Sequence, residues 1–174
     1  AMPVKSYGYA IGNLRARENS LLGKNDLTRL ASLKTPEELA AALRDKGYGS
    51  RTATQTVPQR LKASEEALWS YLFEIAPEDS VFKPFLIKND FHNLKAELKA
   101  LVRDISAEEL LLYPSLCEPQ RTETAVKEKN FGLLPENMRS AAEQAYAALV
   151  SGADPRLCDA IIDRHCADAQ LTLV

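Results

Sequence analysis

The chain has 174 residues, of which 45% are hydrophobic and 26% are charged, and its formal net charge is −2. This length fits one domain or parts of two, and the balance of apolar and charged residues excludes a disordered chain. The nearly balanced charge argues against nucleic acid as the main partner, and no apolar run approaches the ~18 residues of a membrane-spanning helix.

An amphipathic helix is predicted near the start of the chain. At about 100° per residue, one face collects the apolar residues Tyr7, Ala10, Ile11, Leu14, Leu21 and Leu22. Glu18 falls in the middle of this face, where a carboxylate is costly unless it is paired. Arg15, one turn earlier, and Arg17 border the face. We therefore expect Glu18 to form a buried or half-buried ion pair with an arginine, in preference to acting as a catalytic carboxylate.

Residues typical of helix starts and ends recur in the next part of the chain. Thr35 is a predicted N-cap, with Pro36 at N1 and Glu38 at N3, and the helix that it opens should end at Gly47. Pro58 precedes a second helix that should run to about residue 76. The residues expected to point inward from this second helix are Leu61, Leu68, Leu72 and Ile75.

A long helix is predicted from Pro84 to about Arg103. Its apolar arc comprises Ile87, Phe91, Leu94, Leu98 and Leu101. One polar group beside this arc should contact protein and comprises Asp90, Asn93 and Glu97. A second group should face solvent and comprises His92, Lys99 and Arg103. Because Asp90 and His92 point to opposite sides, they cannot share one metal ion, and no metal site is expected.

The rest of the chain also predicts helices. Ser106–Glu109 has the pattern of a capping box, Pro114 and Pro119 mark an irregular stretch, and a short helix is expected near 123–129. Pro135 should open a helix that ends at Gly152, and Asp154-Pro155 should cap the last one. No stretch has the alternation typical of a strand. The predicted fold class is therefore all-α, a multi-helical irregular bundle.

No catalytic signature stands out. The chain has no Gly-rich phosphate loop, no Gly-x-Ser-x-Gly elbow and no Cys-x-x-Cys. His165 and Cys166 are adjacent on a predicted helix and should diverge, so they are not expected to form a nucleophile–base pair. Cys158 and Cys166 should lie about 12 Å apart along that helix, too far for a disulfide. Three cysteines, an odd number, favour a reducing cytoplasm.

Two blocks of sequence carry a family resemblance. The first runs from Tyr9 to Leu22 and includes Asn13, Arg15, Arg17 and Glu18. The second runs from Asn89 to Lys95 and includes Asp90, His92 and Asn93. In this order, and with the stretch 27–47 between them, the blocks resemble the C-type subunit family of the rotary V/A-type ATPases, which is equivalent to the d-type subunit of the eukaryotic proton pump. The likeness covers roughly the first hundred residues well and the rest loosely.

The resemblance implies a non-catalytic rotor subunit. It would link the central axle to the membrane rotor ring during ATP-coupled proton or sodium transport, as a peripheral protein on the cytoplasmic side of the membrane. No cofactor, nucleic acid or small-molecule substrate is implied, and the residues of the two blocks should be structural or should contact partners. A soluble helical scaffold or adaptor unrelated to rotary motors is the alternative. A small helical hydrolase using Glu18 or Asp90 is a third reading.

Relatives in this family are funnel-shaped, contain three similar helical domains and run to about twice the present length. The chain is therefore expected to be an N-terminal fragment. Residues 1–110 should form a helical domain that carries both blocks, and residues 111–174 should begin a second one. A fragment should expose an apolar patch near Leu157, Ile161 and Leu171 and should tend to self-associate.

Overall fold

The computed structural model describes residues 6–173, and this part of the chain forms eight α-helices and no strand. The predicted all-α class is therefore confirmed. The helices are α1 (Tyr7–Glu18), α2 (Lys24–Ala31), α3 (Pro36–Asp45), α4 (Val57–Ile75), α5 (Lys83–Arg103), α6 (Pro119–Lys127), α7 (Glu136–Val150) and α8 (Pro155–Leu171). Short 3-10 turns occupy Asp79–Phe82, Glu108–Leu110 and Phe131–Leu133. The chain divides into two compact units, the first ending at Asp79 and the second beginning at Ser80.

Side-chain caps fix two of the predicted helix starts. The Thr35 hydroxyl accepts a hydrogen bond from the backbone N–H of Glu38 at 3.2 Å, at the start of α3. The Asp154 carboxylate accepts one from the N–H of Arg156 at 2.9 Å, at the start of α8. Each cap satisfies a backbone donor that has no partner within its helix.

The capping pattern at Ser106 opens only a 3-10 turn. The Ser106 hydroxyl does accept from the N–H of Glu108, at 3.2 Å. However, Leu111 has an extended backbone, and the Leu112 main chain hydrogen-bonds to the Asn93 side chain on α5. These bonds to a distant helix hold the chain extended, so the turn at Glu108–Leu110 does not propagate.

The first compact unit buries few side chains. In this unit α4 packs against α1 and α3. The buried residues are Ala10, Leu43, Arg60, Ile75 and Ala76. Leu61 and Leu68, predicted to point inward, are 48% and 41% exposed, because α1 and α3 cover only part of the apolar face of α4.

The second compact unit has a continuous core around α5, which packs against α6, α7 and α8. The core includes Ile87, Phe91, Leu94, Leu98, Val126, Leu134, Met138, Ala141, Ala145, Cys158 and Ile162. Because α5 and α6 share this core, the compact unit continues through 110/111, where the sequence had suggested a domain boundary.

None of the described helices combines the length and the apolar composition needed to cross a bilayer. Cys117, Cys158 and Cys166 are free thiols. On α8, Leu157 and Leu171 are 48% and 76% exposed, as expected for an apolar patch. Ile161 is half-buried and packs against the core. Self-association through this helix stays a prediction.

Candidate functional site

The first half of α5 presents four polar side chains to one neighbouring segment, residues 110–117, which we call the docked segment. Asn89, Asp90, His92 and Asn93 each hydrogen-bond to its main chain. Positions three or four apart lie on neighbouring parts of a helix surface. The spacing of these residues therefore allows one helix to hold an extended segment at several points.

Asp90 holds the end of the docked segment. Its Oδ1 accepts hydrogen bonds from the N–H groups of Leu116 at 2.8 Å and Cys117 at 2.9 Å. The residue is only 3% exposed. This burial raises the pKa of the Asp90 carboxyl to about 6, although the two N–H donors act in the opposite direction.

Asn93 holds the middle of the docked segment with two bonds. Its Oδ1 accepts from the N–H of Leu112 at 2.8 Å, and its Nδ2 donates to the Leu112 carbonyl at 3.0 Å. Asn89 Nδ2 donates to the Pro114 carbonyl at 2.7 Å. His92 Nε2 lies 2.9 Å from the Leu110 carbonyl, which can only accept, so the proton is on Nε2.

Two lysines of α5, Lys95 and Lys99, form ion pairs with α8. Lys95 Nζ lies 2.6 Å from an Asp163 carboxylate oxygen on α8. Lys99 Nζ lies 2.6 Å from Asp159 Oδ1, also on α8. The expectation that Lys99 faces solvent is therefore wrong, because α8 brings a carboxylate to it. Asp90, Asn93 and Glu97, which were expected to contact protein, are buried, and the expected exposure of His92 and Arg103 is confirmed.

The raised pKa of Asp90 predicts a pH-dependent stability. Since the folded-state pKa of about 6 exceeds the ordinary value of 3.8, the folded chain binds more protons between these values. The stabilisation of the folded state by Asp90 is therefore fully present below about pH 4 and is lost as the pH rises through 6. Compared with Asp90→Asn, the wild type should lose about 2–3 kcal/mol of unfolding free energy between pH 4 and pH 7. Urea unfolding of both proteins across this range measures the difference, and a constant difference would contradict the prediction.

The first family block lies in the other compact unit. Arg15 Nη1 is 2.9 Å from Glu18 Oε2, so the predicted arginine pair is confirmed. Its predicted burial is wrong, since the two side chains are 76% and 53% exposed. The cause is that the apolar face of α1 is largely uncovered there, with Ile11 56% and Leu14 37% exposed.

Other residues of this block make local contacts. The Arg17 guanidinium lies 4.3 Å from the centroid of the Tyr71 ring on α4. Asn13 Nδ2 donates to the Tyr9 carbonyl at 2.8 Å, within α1. The Tyr9 residue itself is 38% exposed. Much of this block thus remains accessible to solvent.

Replacing Glu18 by alanine should have little effect on stability. An exposed arginine–carboxylate pair is worth about 0.2–1 kcal/mol, and we expect Glu18→Ala to cost less than about 1 kcal/mol. Urea unfolding measures this cost. A loss of about 3 kcal/mol or more, which is typical of a broken buried pair, would show that Glu18 is desolvated in solution.

The structure brings together part of the predicted set. Asp90, His92 and Asn93 share the docked segment, whereas Lys95 turns to α8. Asn89 was not among the predicted site residues, although it lies one helical turn before Asn93 and therefore on the same side of α5. Among the described residues, no group of three or more His, Cys, Asp or Glu side chains could hold a metal ion.

Comparison with known proteins gives the family. The family model described as ATP synthase (C/AC39) subunit matches residues 10–172. No match was found among curated proteins or among solved structures. The matched range covers nearly all of both compact units, nearly all of the first block and all of the second. The chain therefore belongs to the ATP synthase (C/AC39) subunit family.

Proposed function

We propose that the chain is a non-catalytic subunit that links the central axle of a rotary ATPase to its membrane rotor ring. In this role it passes torque between the ATP-handling head and the transport of protons or sodium ions. The observation that carries the proposal is the family match over residues 10–172. Its partners would be the axle and ring subunits, reached from the cytoplasmic side of the membrane.

The bonding of the second block supports a mechanical role. Asn89, Asp90, His92 and Asn93 all tie α5 to the docked segment, and Lys95 ties it to α8. A protein that passes torque needs elements that do not slide along one another. Several directed hydrogen bonds resist such sliding better than apolar packing alone, because each bond has a narrow range of lengths and angles.

The exposure of the first block supports a role in partner contact. Tyr9, Arg15 and Glu18 are all exposed, beside the exposed apolar residues Ile11 and Leu14. Tyrosine and arginine are enriched in protein–protein interfaces. We assign this surface of α1 to one of the partners in the motor.

Co-isolation tests the proposal. An affinity-tagged chain, expressed in its source cells and purified from membranes in mild detergent, should bring down the axle, ring and nucleotide-binding subunits in fixed stoichiometry. Arg15→Ala combined with Glu18→Ala should reduce this recovery. A matched double substitution of the exposed Lys62 and Glu66 on α4 should not. Recovery of the tagged chain without any ATPase subunit would overturn the proposal and favour an unrelated scaffold.

A further inference from the structure

A groove of about 610 Å³ lies within the second compact unit, between the end of α5 and α6. The turn after α5, at 104–108, forms one wall. The turn begins at Asp104, whose left-handed backbone (φ 54°) ends the helix. The groove is separate from the bonds between α5 and the docked segment, although Leu111 and Tyr113 of that segment line it.

Glu97 lies in this groove with no partner. It is only 6% exposed, and within residues 6–173 no side chain or backbone group forms a hydrogen bond or an ion pair with its carboxylate. Burial and the nearby Glu123 carboxylate raise the pKa of Glu97, whereas Lys127 acts in the opposite direction. The carboxylate of such a largely buried side chain is less well hydrated than one on the surface, so a cation in the groove would stabilise its charged form.

The charges around Glu97 leave the groove acidic. Its other carboxylates belong to Asp104, Glu108 and Glu123. The one basic residue among the described residues that line it is Lys127, and this residue is already paired with Glu123 through a short ion pair. The groove therefore offers several negative charges and, within the described part of the chain, no free positive one.

The shape and the walls of the groove favour a long organic cation. Ile105, Leu111 and Tyr113 line it beside the carboxylates, and Tyr113 is 43% exposed. An arginine side chain has an aliphatic stem that can lie along apolar residues and a planar guanidinium that pairs with carboxylates. A divalent metal ion fits less well, because the described acidic residues form no group with metal-binding geometry.

We propose that this groove binds an arginine side chain of a partner protein, with its guanidinium at Glu97 and its stem against Ile105, Leu111 and Tyr113. This binding does not require the rotor assignment, since any partner that presents an exposed arginine could use the groove. The acidic rim attracts the side chain, and Glu97 provides the buried charge that selects it.

NMR titration of the whole chain with blocked tripeptides tests the proposal. Acetyl-Ala-Arg-Ala-amide should shift the backbone amides of Ser106 and Tyr113 in a saturable way, and acetyl-Ala-Gln-Ala-amide should not. Glu97→Gln should weaken the binding of the arginine peptide by about 30-fold or more while raising the urea midpoint of the free protein. Glu109→Gln, which removes a neighbouring charge outside the groove, should leave the affinity nearly unchanged.

Weaker peptide binding together with a higher urea midpoint in Glu97→Gln would identify Glu97 as a binding carboxylate, because the loss of a structural carboxylate would lower the midpoint. An unchanged affinity in Glu97→Gln would overturn the proposal, as would the absence of saturable shifts in the wild type. Saturable shifts of the same amides with Mg²⁺ or Ca²⁺ in place of the peptide would also overturn it. Should Glu97→Gln fail to fold, the wild-type Glu97 pKa still decides, because bound arginine peptide should lower it and the glutamine peptide should not.

Discussion

Replacing Phe91 by alanine is expected to reduce the unfolding free energy of the second compact unit by about 4 kcal/mol. Phe91 lies between Asp90 and His92 in the second family block, is 1% exposed and belongs to the core around α5. Its truncation removes apolar surface that folding would bury, and it leaves a cavity that the close-packed neighbours fill only partly. Urea unfolding followed by circular dichroism measures the loss.

Phe85→Ala is the matched control for this substitution. Phe85 is on the same helix, but it is 63% exposed, so its removal should cost less than about 1 kcal/mol. Equal losses for the two variants would mean that the rotation of α5 about its axis differs from the one described. The burial of Asp90 and Asn93 would then also be in question.

Replacing Asp90 by alanine is expected to cost about 3 kcal/mol, because two backbone donors lose their acceptor. One of these donors belongs to Cys117, which is 4% exposed, and an unsatisfied buried N–H is costly. Urea unfolding should show the loss, and hydrogen exchange should show faster exchange of the Leu116 and Cys117 amides. At pH 5, Asp90→Asn keeps an oxygen in the same place and should cost about 1 kcal/mol or less.

Comparing Asp90→Ala with Asp90→Asn separates the stability that comes from accepting hydrogen bonds from the effect of the negative charge. If asparagine were as damaging as alanine at pH 5, the ability to accept the two N–H groups would not be what Asp90 contributes. If alanine left the exchange of the Leu116 amide unchanged, the docked segment would be held by its other bonds alone.

The sequence predicted α5 and its faces well because the signals are local. Pro84 and Arg103 marked a helix that the structure places at Lys83–Arg103. The helical period alone placed Asp90, Asn93 and Glu97 beside the apolar arc, where all three are buried. A long helix with a regular apolar period contains this information within its own residues.

Two other features could not be predicted because they depend on distant groups. The burial of the Glu18 side chain depends on whether another element covers α1, and the apolar periodicity of α1 carries no information about this. The acceptors of Asn89 and His92 are the carbonyls of Pro114 and Leu110, and every residue has such a carbonyl whatever its type. Hence the sequence indicated Asp90 and Asn93 as residues that contact protein, whereas the bonds of Asn89 and His92 and the segment that all four bind were not predicted.

The docked segment is recognised by α5 almost entirely through backbone atoms. Since substitutions do not alter those atoms, the outward side chains of the segment can change without loosening its attachment. Leu110, Leu112, Tyr113 and Leu116 are each at least 42% exposed. The segment is thus a place where relatives can diverge in surface chemistry, and so in partner preference, on an unchanged scaffold. It is also a rational position for grafting a reporter or a recognition sequence.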